Sequence, residues 1–419
     1  MRTSVYYATN RGHEGADRFA PTRYGTRFSS DGMENLRFGR VTFDADDEPV
    51  RVLLARRRDF TGPGDGEALQ DHFARCARHS QVIEAYQEVI KDKSVSDVAQ
   101  KEPPKLGSLA MFSDLRADMQ RGVDMLVLIH GYNVDWEEAV GTAAAFEAML
   151  NRPDPRRPDD PVQPVRVILF TWPSDGQALP WVSYKSDRAD ARSAAGAVGR
   201  AMLKLRDFLH QLGREVRLDK SNEAQTRAQL AAQGVTRESE VARALAQVES
   251  TQLCGQKIHL LAHSMGNFVL QHALDRLWEH SPGNALPRMF EHVFLAAADI
   301  DDDVLDIGGP MEHVHQIANR VAIYHNVNDT ALRVSDYTKG NPERLGQRGA
   351  ARPQALHQKI YQVDCSAIVS GLTQHSYYAN GIIALDIRKA LQGEAPNATA
   401  RGLSAVGPAP NMFAFLRDG

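Results

Sequence analysis

The segment Lys257-Ile-His-Leu-Leu-Ala-His-Ser264-Met-Gly266-Asn constrains the fold of this chain more than any other. Apolar residues run into a serine, a glycine follows two positions later, and Phe268, Val269, Leu270, Ala273, Leu274, Leu277 and Trp278 then recur at helical spacing. The pattern is a buried strand, a tight turn and an amphipathic helix. A serine in such a turn stands at the C-terminal edge of a sheet, with its hydroxyl exposed and the positive end of a helix dipole directed at it. The turn demands small residues two positions before and after the serine, because larger side chains would strike the adjoining backbone. Gly266 meets that demand, and Ala262 exceeds it by one methyl group. Ser264 is therefore the candidate nucleophile, a reading that the strand, turn and helix together favour over a plain helix cap. His263 reads as a packing residue turned away from the serine.

From residue 123 onward, short apolar runs alternate with longer helix-period segments, the pattern of an α/β fold with a doubly wound, mostly parallel sheet. The expected strands are 123–129, 165–171, 257–261, 292–297, 320–325 and 359–363. Most are nearly continuous in apolar residues, as strands buried on both faces are. Residues 187–212 repeat Val198, Ala201, Met202, Leu205, Phe208, Leu209 and Leu212 every three or four positions, which predicts an amphipathic helix. The first part reads differently, with strands at 5–8, 36–43 and 50–55 and helical stretches at 68–78 and 81–93. The expected organisation is residues 1–122 as antiparallel N-terminal edge strands and an extension packed on a core of residues 123–393. A helical insertion rich in Gln, Ala, Glu and Arg occupies about 214–252, and 394–419 form a weakly structured tail or irregular strap.

Composition excludes several classes. The 419 residues give a net charge of −4, from 49 basic and 53 acidic side chains, so whole-chain charge offers no footprint for nucleic acid. No apolar run is long enough for a membrane span. Cys76, Cys254 and Cys365 are scattered and lack the paired spacing of a zinc or dithiol site, so no metal is expected. The opening residues do not have the basic and apolar regions of a secretory signal, and the expected location is cytoplasmic.

The Ser264 turn, the motif His130-Gly131-Tyr132-Asn133 after the first buried strand and, more loosely, the opening Val5-Tyr-Tyr-Ala-Thr-Asn-Arg11 together resemble the α/β-hydrolase superfamily. More narrowly, the chain resembles a bacterial lipase- or esterase-like group that carries an HGYN motif, over about residues 123–390. The resemblance implies the α/β-hydrolase fold and a Ser-His-Asp hydrolase that needs no cofactor. In that fold the acid and then the base follow the nucleophile along the chain. His375, after the last expected strand, is the implied base, whereas histidines 313, 315, 325 and 357 precede that strand. Asp329, beyond the preceding strand, is the first choice for the acid, and Asp299 is the alternative acid. Met265 and Tyr132 are the implied oxyanion-hole donors through their backbone N–H groups. Gly131 lets the chain turn closely there, and His130 and Asn133 brace the loop by hydrogen bonds.

The loops after the strands set the substrate, so Tyr132, Trp136, Trp172, Pro173, Trp181 and Tyr184 are read as an aromatic mouth for an ester or acyl group. The loop 340–349 carries Arg344 and Arg348, which could meet an acidic substrate group but are expected on a solvated loop. The insertion enters the serine strand from its far end, so it is expected to extend the scaffold or to mediate a homo-oligomer or protein-partner contact rather than to act as a lid. The expected activity is cleavage of a carboxylic ester through an acyl-enzyme. Thioester hydrolysis or acyl transfer with the same residues and a catalytically silent binding protein are the alternatives.

Overall fold

Strands that are apolar on both faces pair side by side and leave both faces for helices. The computed structural model describes residues 1–58, 62–86, 107–154, 158–159, 161–174, 180–218, 227–235, 237, 240–241, 256–281, 285–332, 343–369 and 375–416, with 57–58, 62–63, 180–185 and 210–218 as backbone alone. Along the chain, β1 (Arg2–Thr9), β2 (Arg11–Glu14), β3 (Arg23–Phe28) and β4 (Arg37–Asp44) lead to α1 (Asp47–Ala55) and the short strands β5 (Arg57–Arg58) and β6 (Gly62–Pro63). Next come α2 (Gly66–Ser80), β7 (Val82–Ala85) and α3 (Gly107–Gln120). The alternating region holds β8 (Asp124–Ile129), α4 (Trp136–Leu150), β9 (Val165–Thr171), α5 (Pro180–Leu218), β10 (Ile258–His263), α6 (Gly266–Glu279), β11 (Phe290–Ala296) and β12 (Ala318–His325). It is completed by α7 (Leu345–Arg348), β13 (Ile360–Asp364), α8 (Gly381–Leu391), β14 (Ser404–Ala405) and β15 (Met412–Ala414).

Among the described residues, 11 strands form one sheet in the order β14-β15-β13-β12-β11-β10-β8-β9-β1-β4-β7. Every pairing from β15 across to β1 is parallel. β4 and β7 add antiparallel strands at one edge and β14 at the other. The expected doubly wound sheet with antiparallel N-terminal edge strands is what folds, although the first antiparallel pairing is β1 with β4, one strand farther out than the chain start. β8 and β9 build the sheet in one direction, then β10 returns to the other side of β8 and β11 to β13 continue from there. The C-terminal end of β10 thus lies at the reversal of strand order, where sheets of this type open a crevice.

Alternation along the strands sends residues to two cores. Leu126, Leu128, Leu261 and Phe294 pack with Phe73 of α2, Trp136 and Phe146 of α4 and Ile387 of α8. Met125, Ile129, Leu260 and Ala262 pack with Met111 of α3, Val198 of α5 and Val269 of α6. Among the described residues, no helix is long and apolar enough to cross a membrane.

Three local expectations are corrected. Residues 50–55, read as a strand from Val-Arg-Val-Leu-Leu, lie in α1: Val50 is buried, Leu53 and Leu54 pack against the core, and Val52 is 49% exposed. That is a helical period, opened by Asp47 and Glu48 in the first turn, where the helix dipole favours acids. Residues 81–93, read as helical, begin instead with β7, in which Ile83 and Ala85 are buried and Val82 and Glu84 exposed, a period of two. Residues 87–93 lie outside the described ones. The tail is also more regular than expected, since β15 pairs in parallel with β13 and β14 pairs with β15. It is anchored by Arg401, whose buried guanidinium donates to both Asp386 oxygens at 2.7 and 2.8 Å. The expected helix 187–212 falls within α5. Most of the insertion 214–252, like Cys254, lies outside the described residues, although 227–232 is helical.

Candidate active site

Ser264 follows β10 directly and adopts φ 52°, in the left-handed region that non-glycine residues rarely occupy. Its N–H donates to the Ala296 carbonyl at 3.0 Å, and its own carbonyl accepts from the Asp299 N–H at 3.2 Å. The Asn267 side-chain amide spans the turn, donating to the carbonyls of Ala262, Ser264 and Ala296 at 2.9, 3.2 and 3.3 Å. These bonds over-determine the strained residue. Gly266 is required sterically, because a Cβ there would lie 2.5 Å from the Ile129 oxygen and 2.7 Å from that of His130. Ala262 needs no glycine: its methyl is buried in the core under α6. The Met265 side chain is buried in that core too, while its backbone starts the helix.

The loop after β8 closes on this turn. A Cβ on Gly131 would lie 2.8 Å from that of Ser264 and 3.1 Å from His263 Nδ1, so glycine permits the contact. His130 is fully buried, its ring stacked on Trp172 with centroids 5.4 Å apart. Its Nδ1 lies 2.8 Å from the Gly131 oxygen and its Nε2 2.9 Å from Thr171 Oγ1. Burial, reinforced by the nearby charge of Arg11, pushes the His130 pKa down to about 3. Tyr132 is half-buried against the core.

Asn133 braces the loop through its backbone rather than its side chain. Its side chain is exposed, and its contribution is a backbone at φ 58°, which asparagine tolerates better than most residues. The helix cap two residues later is Asp135, in a capping box with Glu138. Asp187 and Ser174, both buried, hold the loop from the other side: the hydroxyl donates to Asp187 at 2.7 Å, and the N–H groups of Asn133 and Val134 reach Asp187 and Ser174 at 3.4 Å.

His375 and Asp329 meet at 2.7 Å between Nδ1 and Oδ2. Asp329 is buried just beyond β12, and its other oxygen accepts from the N–H groups of Ala331 and Leu332 at 3.0 and 3.1 Å. His375 remains partly exposed and lies against His263, the residue before Ser264, with ring centroids 4.9 Å apart. His263 Nε2 is 3.3 Å from the His375 carbonyl oxygen, to which it can only donate. His263, expected only to fill space, thus ties the serine turn to the His375 segment, and burial holds its pKa well below the usual histidine value.

Asp299 is engaged elsewhere. Its Oδ1 lies 3.5 Å from Nε of Arg344, a fully buried guanidinium that also pairs with Asp301. Arg344 is therefore not the solvated loop cation of the sequence reading, while Arg348 is exposed beside Glu343 and 340–342 lie outside the described residues. The other histidines are accounted for by packing: His313 stacks on Trp278, His315 on His357, and His325 is buried at the end of β12.

The aromatic mouth also needs correction. Trp136 is buried against Tyr7 and Tyr24, and Trp172 is buried against His130, so neither faces a ligand. The side chains of Trp181 and Tyr184 lie outside the described residues, and Tyr132, next to the Gly131 that meets the serine, is half-buried against the core.

Sequence reasoning missed the polar scaffold behind the HGYN loop. Arg11, at the end of the Val5-to-Arg11 motif, is fully buried and donates to Thr171 Oγ1, the Gly25 carbonyl and the Val134 carbonyl at 2.8, 3.1 and 2.7 Å. The only sequence signal was that motif, which carried no spacing rule to connect it with residue 130.

Comparison with known families gives one match: a family described as "Alpha/beta hydrolase of unknown function (DUF900)" matches residues 110–213 and 227–386, more than half of the chain. No curated protein and no solved structure matches it.

Proposed function

The chain belongs to this alpha/beta-hydrolase family, and from that premise we propose that it is a serine hydrolase that cleaves a carboxylic ester through an acyl-enzyme. The observation that carries the reading is the 2.7 Å contact of His375 Nδ1 with Asp329, on a histidine packed against the residue before a strained Ser264. Asp329 accepts the Nδ1 hydrogen, which leaves the Nε2 lone pair of His375 to take the proton of Ser264 Oγ as the oxygen attacks the acyl carbon. The negative charge that develops on the carbonyl oxygen is met by the N–H groups of Met265 and Tyr132, and the positive end of α6 adds to it. The imidazolium then protonates the departing alcohol. Water, deprotonated by the same ring, releases the acid and restores the serine.

Asp299 is not assigned to this chemistry, because Arg344 engages it. No cofactor is required by the route. The scattered cysteines support a reducing, cytoplasmic setting for the work.

A fluorophosphonate probe tests the proposal. Stoichiometric labelling at Ser264, lost in Ser264→Ala with unchanged thermal unfolding, is the expected result. Labelling at another residue, or none on the folded protein, would sink it. Faster turnover of a thioester, or capture of the acyl group by an added alcohol, would redefine the reaction while keeping the same residues.

A further inference from the structure

The hydrogen positions behind the HGYN loop can be derived. The backbone N–H of Trp172 points at His130 Nε2 from 3.3 Å and can only donate, so this long contact favours a lone pair on Nε2 without fixing it alone. With the ring neutral, its hydrogen is on Nδ1 and is donated to the Gly131 carbonyl 2.8 Å away. Thr171 Oγ1 is also 2.9 Å from Nε2, and for that contact to be a bond the hydroxyl must give its hydrogen to the ring. The Arg11 Nε–H, 2.8 Å from the same oxygen, fills one of the two acceptor positions of the hydroxyl and favours this direction, since a guanidinium can only donate.

The chain of donors therefore runs in one direction, from Arg11 to Thr171, to His130, to the Gly131 oxygen. That oxygen belongs to the same planar unit as the Tyr132 N–H, and this peptide is trans, so the two point in opposite directions. Holding one aims the other. Arg11 acts on this loop a second time through the Val134 carbonyl at 2.7 Å. A strand near the chain start thus fixes both sides of the loop that touches Ser264.

We propose that Arg11 is a positioning residue for the oxyanion donor: through Thr171 it holds His130 in the neutral Nδ1–H form, and His130 in turn orients the Gly131–Tyr132 peptide. The inference rests on the proposed role of Tyr132 in ester cleavage. It assigns to the Val5-to-Arg11 motif a task at the site, where a buried arginine could otherwise serve only to anchor the β2–β3 hairpin through Gly25.

The test uses Arg11→Met, which keeps the apolar stem of the side chain without its donors, and Thr171→Val, which keeps the shape of the threonine without its hydroxyl. Two readouts are followed: nitrogen NMR of the His130 ring in protein carrying labelled histidine, and kcat and KM for a short p-nitrophenyl ester. The native ring is expected to be protonated at Nδ1 alone. Both variants should show increased Nε2 protonation and a loss of kcat of about 10- to 100-fold with little change in KM, because the oxyanion exists only in the transition state. A role confined to anchoring would lower the melting temperature and leave the ring form and kcat unchanged, which would overturn the proposal. A native ring protonated at Nε2 would do the same. Should Arg11→Met fail to fold, Thr171→Val decides on the same two readouts. If the native protein turns over no ester, the ester reading fails separately, while the NMR result still decides whether Arg11 and Thr171 set the ring.

Discussion

Gly131 and Ser264 approach so closely that a methyl group on the glycine would stand 2.8 Å from the serine Cβ, although 133 positions separate them in the chain. Real side chains do not share that space. Gly131→Ala should therefore displace the loop from the serine and reduce ester turnover by at least about 100-fold, the cost of losing one oxyanion donor. Its melting temperature should fall only modestly, because the next residues of the loop, Tyr132 and Asn133, are half-buried and exposed and can shift outward. Turnover within a few-fold of the native rate would show that the Gly131 loop plays no part in the reaction.

Gly266→Ala should behave in the opposite sense. There the added carbon meets the backbone oxygens of Ile129 and His130 at 2.5 and 2.7 Å, inside the packed junction of strand and helix. Chemical denaturation should record a loss of about 1–3 kcal/mol, typical of overpacking. Unaltered stability would mean that the serine turn relaxes more readily than its bonds imply.

The two carboxylates near the sheet edge should separate in a pair of variants. Asp329→Asn places an amide against His375 Nδ1, favours the wrong ring tautomer and leaves the imidazolium unsupported. A kcat loss of about 10⁴-fold is expected, by analogy with the serine protease triad. Asp299→Asn should instead cost stability, on the order of 1–3 kcal/mol, by weakening the pairing of buried Arg344. Should Asp299→Asn prove the more damaging to kcat in a p-nitrophenyl ester assay, the acid would have to be reassigned.

Much of this arrangement was legible in the sequence, for a physical reason. Strands buried on both faces leave uninterrupted apolar runs, and the turn after β10 must have small residues at fixed positions, so both features are local. Position after the strand favours Asp329 over Asp299 as the partner of His375, in line with the 2.7 Å contact, but what occupies Asp299 instead is Arg344, a residue that reads on its own as a loop cation. Arg11 and Thr171 were hidden for the same reason: a buried hydrogen-bond chain between β2, β9 and the HGYN loop leaves no periodic trace. The errors at 50–55 and 82–85 arose where short apolar runs fit both a helix and a strand and only the sheet edge decides.

Acid should weaken the fold in a way that can be assigned. His292 is buried beside His259 and Arg320; burial first and those neighbours second push its pKa down from 6.5 to about 2. The native ring stays neutral while the unfolded ring gains a proton, so stability is whole above about pH 6.5 and is lost as pH falls toward 2. His292→Phe should remove about one proton from that linkage, flattening the slope by roughly 1.4 kcal/mol per pH unit over this window. Urea titrations from pH 4 to about pH 7 would measure it, and parallel slopes for the two proteins would refute the assignment.

The tail should prove structural. Arg401 meets Asp386 with two bonds and also donates to Tyr361 at 3.0 Å, while Tyr324 donates to Asp386 at 2.6 Å. Arg401→Met would strand a buried carboxylate and should cost about 3–5 kcal/mol in denaturant titrations. Fluorophosphonate labelling below the new melting temperature should persist. A stability loss under about 1 kcal/mol would mean that Asp386 finds another partner or a proton.

The pairing of β1 with β9 also has a kinetic side. Thr9 and Thr171 meet across 162 positions of chain, and the intervening residues include three other strands of the same sheet. Closing so long a loop is entropically costly, and non-local pairing slows folding. Helical signal should thus return early during refolding, whereas the loop beside Ser264 waits for β1 and β2 to arrive. Ester turnover and probe labelling are expected to lag behind secondary structure, so that a chain can regain most of its helix before it becomes able to react.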